Sequence, residues 1–186
     1  MNTKRSELNL IPLVDDFFNH SREEDPKLVK SFNHLDIEGK KNLGGILGRF
    51  DRNGSGSLDS RERLMARRIL GRLHKPTNSS LAIVNKILDY LDLNSNSLLE
   101  PEEIELGIEI MEKFSKVDSH NETLSELELS MLYAVLRHLD QNNNHVLDPE
   151  ERERLHKALD NLGSFMKTQK IENPFLKEVL IEAGRA

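Results

Sequence analysis

Apolar residues recur along this chain at helical spacing. Leu43, Ile46, Leu47 and Phe50 fall on one helix face, and so do Leu81, Val84, Leu88 and Leu91 further on. Leu129, Leu132, Leu136 and Leu139 repeat the pattern a third time. Each stripe is followed by a polar stretch of about a dozen residues and then by a second stripe: Met65, Ile69 and Leu73; Ile104, Ile108 and Met111; Leu155, Leu159 and Leu162. Strand-like alternation has little support. The pattern therefore predicts an all-α chain built from helix, polar loop and helix, three times over. Pro101 and Pro149 fall at the first position of exiting helices, where a missing N–H costs nothing. Ser125 with Glu128 reads as a capping box for the third entering helix.

Composition narrows the class. The 186 residues carry 37% hydrophobic and 31% charged side chains, which fits a globular chain with a real core. Trp is absent and aromatics are 5%, so that core is mostly Leu, Ile and Val. A net charge of −6 argues against nucleic-acid binding and suits cation capture. With no cysteine, disulfides and thiolate metal sites are excluded. The first 14 residues fall short of a secretory leader, and no apolar run approaches the roughly 20 residues that span a bilayer. The expectation is a cytoplasmic protein. No phosphate loop, nucleophile motif or H-E-x-x-H pair is present, so no enzyme is expected.

The polar stretches share one register. They read DRNGSGSLDSRE from Asp51, DLNSNSLLEPEE from Asp92 and DQNNNHVLDPEE from Asp140. Calcium is a hard cation that takes roughly 6–8 oxygens, and one tight loop supplies them from alternate positions. In the first loop the donors are Asp51, Asn53, Ser55, the carbonyl of Ser57, Asp59 and Glu62. In the second they are Asp92, Asn94, Asn96, the carbonyl of Leu98, Glu100 and Glu103. In the third they are Asp140, Asn142, Asn144, the carbonyl of Val146, Asp148 and Glu151. A single such run is commonly a solvated turn. Three in the same register, each ending in Glu, point to three calcium sites. The sixth residue needs positive φ, free for Gly56 and costing roughly 1 kcal/mol for Ser97 and His145. His145 reads as a turn residue rather than a zinc ligand. Affinities of roughly 10⁻⁷–10⁻⁵ M are expected, weaker for the second and third loops.

These loops and their flanking helices, residues 38–166, resemble the EF-hand superfamily, which includes calmodulin. The resemblance implies helix-loop-helix repeats with a short β-bridge between paired loops, the eighth residues (Leu58, Leu99, Leu147) pointing into the core. On that basis residues 1–37 form an N-terminal helical extension and 38–116 a pair of hands. Residues 117–168 hold the third hand behind a degenerate linker, VDSHNETLSELE from Val117, and 169–186 form a C-terminal amphipathic segment. The third hand needs a partner: a degenerate helix pair at a terminus, or its twin in a homodimer. Two amphipathic segments, Leu13–Phe18 and Asn173–Leu180, are either plugs for an apolar groove or plain core.

Two roles follow from the resemblance. The preferred one is a calcium sensor that repacks its helices and exposes a surface to a protein target. The alternative is a calcium buffer or calcium-stabilised structural protein. Arg67, Arg68 and Arg72 after the first loop are either a dock for an acidic partner or a solvated face balancing nearby carboxylates.

Overall fold

The computed structural model describes residues 10–115 and 123–168, with side chains through residue 160. Among the described residues the structure is helical: α1 (Ile11–Glu24), α2 (Pro26–Phe32), α3 (Ile37–Gly48), α4 (Ser60–Leu70), α5 (Asn78–Leu91), α6 (Pro101–Ser115), α7 (Glu126–Leu139) and α8 (Pro149–Thr168). One isolated bridge, between Leu73 and Leu124, is the sole β pairing found among them.

Local chemistry explains the helix starts. The side chains of Asp36, Thr77 and Ser125 accept the N–H three residues on and cap α3, α5 and α7. The Ser125–Glu128 capping box is present, joined by boxes at Asp59–Glu62 and Thr77–Ser80. Each entering helix has the same length rule: its cap stands fifteen residues before the first loop aspartate (36 to 51, 77 to 92, 125 to 140).

The units stack head to tail. Entering helices pack in order, α1 on α3, α3 on α5 and α5 on α7, while α4 packs on α6 and α6 on α8. The apolar stripes line the seam, with Leu43, Ile46, Leu47, Leu81, Val84, Leu88, Leu132 and Leu136 all fully buried. Each such side chain contributes roughly 1.5–3 kcal/mol of transfer free energy. Polar bonds set the register between neighbours. Asn78 of α5 donates to the α3 cap Asp36 (2.9 Å), and Thr77, the α5 cap, donates to Glu126 of α7 (2.6 Å). Asn85 of α5 donates to the carbonyl of Asn42 in α3 (2.9 Å).

The N-terminal pair is a repeat without a loop. Asp25 stands fifteen residues after the α1 N-cap Leu10, the place that Asp51, Asp92 and Asp140 hold. Its N–H bonds back to Ser21, as those of Asp92 and Asp140 bond back to Leu88 and Leu136. Its side chain then caps α2 at once, accepting the Leu28 N–H (3.0 Å). Residues matching 52–59 are simply missing. Phe17, Phe18 and Phe32 pack together inside this pair, with ring centroids 5.9 and 6.3 Å apart. Leu13, Phe17 and Phe18 are therefore core.

This order differs from the loop pairing that the resemblance implies. The eighth residue of a loop bonds instead to the preceding entering helix. The Leu99 N–H donates to the Arg49 carbonyl (2.8 Å) and the Leu147 N–H to the Tyr90 carbonyl (3.3 Å). Arg49 and Tyr90 each lie two residues before a loop begins. The third unit thus packs on the second through α5–α7 and α6–α8, and the N-terminal pair lies at the opposite end, against α3. The bridge at Leu73–Leu124 joins the end of α4 to the approach of α7. The remainder of the linker, 116–122, and the segment 169–186 with Asn173, Pro174, Phe175, Leu176, Val179 and Leu180 lie outside the described residues.

Candidate metal centres

Each loop folds around the carboxylate of its first residue. The amides of positions five and six donate to its two oxygens: Ser55 and Gly56 to Asp51 (2.9 and 2.9 Å), Asn96 and Ser97 to Asp92 (3.0 and 2.8 Å), Asn144 and His145 to Asp140 (3.0 and 3.1 Å). To aim those amides inward the chain must turn sharply. The sixth residue is left-handed in all three loops, with φ of +80° at Gly56, +66° at Ser97 and +61° at His145. Position four is left-handed as well, at Gly54, Ser95 and Asn143. Only Gly, Ser and Asn stand there, residues that tolerate or favour such turns.

The third and fifth positions continue the pattern. Asn53, Asn94 and Asn142 accept the amide of position five at 2.8, 3.0 and 3.0 Å. The Ser55 hydroxyl donates to the Ser57 carbonyl (2.7 Å). Ser55, Asn96 and Asn144 each accept the amide two residues on, from Ser57, Leu98 and Val146. Position nine joins the others in loops two and three, where Glu100 accepts from Asn94 and Asn96 and Asp148 accepts from Asn142. In loop one Asp59 faces the helix and caps α4.

The twelfth residue closes each loop. Glu62 accepts the amides of Arg52 and Asp59, Glu103 those of Leu93 and Glu100, and Glu151 those of Gln141 and Asp148, all at 2.8–3.0 Å. One carboxylate so ties the start of the loop to its end. The eighth residues Leu58, Leu99 and Leu147 are buried as expected.

The six carboxylates at positions one and twelve are 3–8% exposed. Among the described residues no lysine or arginine is paired with any of them; the His145 ring lies beside Asp140, with Nδ1 at 3.8 Å. A buried charge without a partner is expensive, and the amides around it offset only part of the cost. Burial, and then Glu100 beside it, push the Glu103 carboxyl up to about 7. Among the described residues no group of three or more His, Cys, Asp or Glu side chains gathers as a metal cluster. The loops offer a different donor set: two or three carboxylates with amide, hydroxyl and backbone oxygens. Such an all-oxygen set fits a hard divalent cation and offers no nitrogen or sulfur for a softer one. His145 turns its ring outward and edge-on to Tyr90, 5.9 Å between centroids.

Arg67 and Arg68 of α4 and Arg72 just beyond it are engaged within the molecule. Arg67 pairs with Glu24, Arg68 with Glu105 and Arg72 with Glu112. The last two join α4 and the turn after it to α6, and Lys113–Asp160 (3.1 Å) with His156–Glu109 (3.6 Å) carries the ladder on to α8. Sequence reasoning missed this ladder, whose acids stand some 40 residues from their partners. Among the described residues no helix is long and apolar enough to cross a membrane.

The chain was compared with protein-family models, with curated proteins and with solved structures, and none of them matches.

Proposed function

We propose that this chain is a calcium-binding protein of the EF-hand type, holding one ion in each of its three loops. The observation that carries the reading is the pair of buried acids in each turn, Asp51 with Glu62, Asp92 with Glu103 and Asp140 with Glu151, which lack a lysine or arginine partner. Calcium would supply the missing positive charge. Asn53, Ser55, Ser57 and Asp59 would add oxygens in the first loop, Asn94, Asn96, Leu98 and Glu100 in the second, and Asn142, Asn144, Val146 and Asp148 in the third. Each loop offers three acidic ligands, so the ligand set of a filled loop keeps one net negative charge.

Of the two roles, a calcium-stabilised stack has the better support. The eighth residue of loops two and three is bonded to the preceding unit, so ordering a loop also orders the joint behind it. The apolar faces are largely spent in that stack: among the described residues the exposed large hydrophobics are Ile37, Leu64 and Leu127. They lie on three different helices, α3, α4 and α7. The sensor reading requires a groove to appear on calcium binding.

Calorimetric titration of the metal-stripped protein tests the proposal, with an apolar-surface dye read in parallel. About three sites with no dye response support the stabilised stack, and a rise in dye binding favours the sensor. Fewer than two sites would overturn the three-loop reading.

A further inference from the structure

Tyr90 carries a polar group into the core. The residue is 1% exposed, and among the described residues its enclosed hydroxyl has no hydrogen-bond partner. A buried phenol ordinarily finds one, and phenylalanine would fill the same space without the hydroxyl. Tyr90 belongs to the second unit, yet its surroundings belong to the third. Its carbonyl accepts the Leu147 amide (3.3 Å), and the rings of Tyr133 and His145 pack against its own with centroids 6.2 and 5.9 Å away. The acid that acts on it is Asp140: burial first, and then that carboxylate, push the phenol up to about 12. The joint before this one is built differently. Arg49 stands thirteen residues after its cap, as Tyr90 does (36 to 49, 77 to 90), and its guanidinium pairs with Asp89 of α5.

Asp140 has room for one more donor. A carboxylate offers about four lone-pair positions. The amides of Asn144 and His145 take one on each oxygen (3.0 and 3.1 Å), and an ion in the loop would take a third. We propose that Tyr90 is a positioning residue for the third loop: when the loop fills, its phenol donates to Asp140 and holds that carboxylate toward the ion. The proposal rests on the calcium reading above. It makes the third site the work of two units, one supplying the ligands and the other the donor that orients the first of them. Groups that orient a metal ligand typically matter by about 10–100-fold in affinity. A phenol on a carboxylate already held by two amides falls at the low end, about tenfold.

Calorimetric calcium titration of the full chain with Tyr90→Phe tests this. The variant keeps the ring and the carbonyl that holds Leu147, and loses only the hydroxyl. One site should weaken about tenfold while the others stay within about twofold. That site should be the third, so Tyr90→Phe added to a Glu151→Gln chain, in which the third loop is disabled, should change nothing further. Tyr133→Phe is the matched control and should leave every affinity within about twofold. It also leaves Tyr90 as the sole tyrosine in a chain without Trp. Its emission should change as the third site fills and stay flat when Glu151→Gln is added. Unchanged affinities in Tyr90→Phe, an equal loss in Tyr133→Phe, an equal loss with and without Glu151→Gln, or a flat emission would overturn the proposal and leave the calcium reading standing. An unsubstituted chain that takes up no calcium would overturn both.

Discussion

The substitution Glu103→Gln separates a structural carboxylate from a calcium-binding one. Glu103 is 3% exposed and takes two backbone amides, those of Leu93 (2.8 Å) and Glu100 (2.9 Å). Gln keeps one acceptor and turns an NH₂ toward the second amide, leaving a buried donor unsatisfied at about 1–3 kcal/mol. Against this, the change removes a buried negative charge that repels Glu100, so without calcium the net change should stay within about 1–2 kcal/mol. With calcium the balance differs. A site filled at 100 times its Kd adds about 2.7 kcal/mol, or about 5–11 °C of Tm in a chain of this size. The variant should forgo that share of the calcium-induced rise while loops one and three keep theirs. Scanning calorimetry with and without calcium reads both quantities. An unchanged calcium response would refute a ligand role for Glu103. A metal-free loss as large as the whole calcium effect would show that its two amide bonds are its only task.

Other perturbations address the stack. Leu99→Ala empties a fully buried site whose amide holds the joint to α3, and should cost about 3–5 kcal/mol in urea unfolding. Arg68→Ser breaks an exposed pair and Arg72→Ser a half-buried one, so each should change stability by no more than about 1 kcal/mol in the same assay. Bonds from Thr77 and Ser79 hold Glu126 below the usual carboxylate range, and the Gly39 amide and the Asn78 side chain do the same for Asp36. Folded-state pKa values below the unfolded ones mean stability present above about pH 4.5 and lost as pH falls through the lowered values. NMR titration of the Thr77→Val variant should show Glu126 moving up toward its ordinary value.

What the sequence disclosed was local. Helix stripes, the proline starts, the Ser125 cap and the left-handed sixth residues depend on neighbours within a dozen positions, and the structure places them as the residues dictate. The order of stacking was not legible, because it is decided by contacts such as Leu99 to Arg49 across 50 residues. A resemblance to paired hands suggested loop meeting loop, whereas the backbone bonds run from loop to preceding helix. The N-terminal repeat was hidden for another reason. It lacks the polar loop that marks the others, and only the interval from Leu10 to Asp25 betrays it. The arginine run carried no signal of its own partners, since acids on α1 and α6 are distant in sequence.

Asp25 shows how little of the unit is required for stacking. It ends one helix and begins the next with a single side chain, and α1 still seats on α3 as the later helices seat on their neighbours. The repeat is therefore two separable inventions: a fifteen-residue module that sets the pitch, and an eight-residue insert, the proposed cation loop, that leaves that pitch unaltered. A protein made this way is open to editing. Deleting a loop would leave the helical interval intact while removing, in loops two and three, the bond from the eighth residue to the preceding helix.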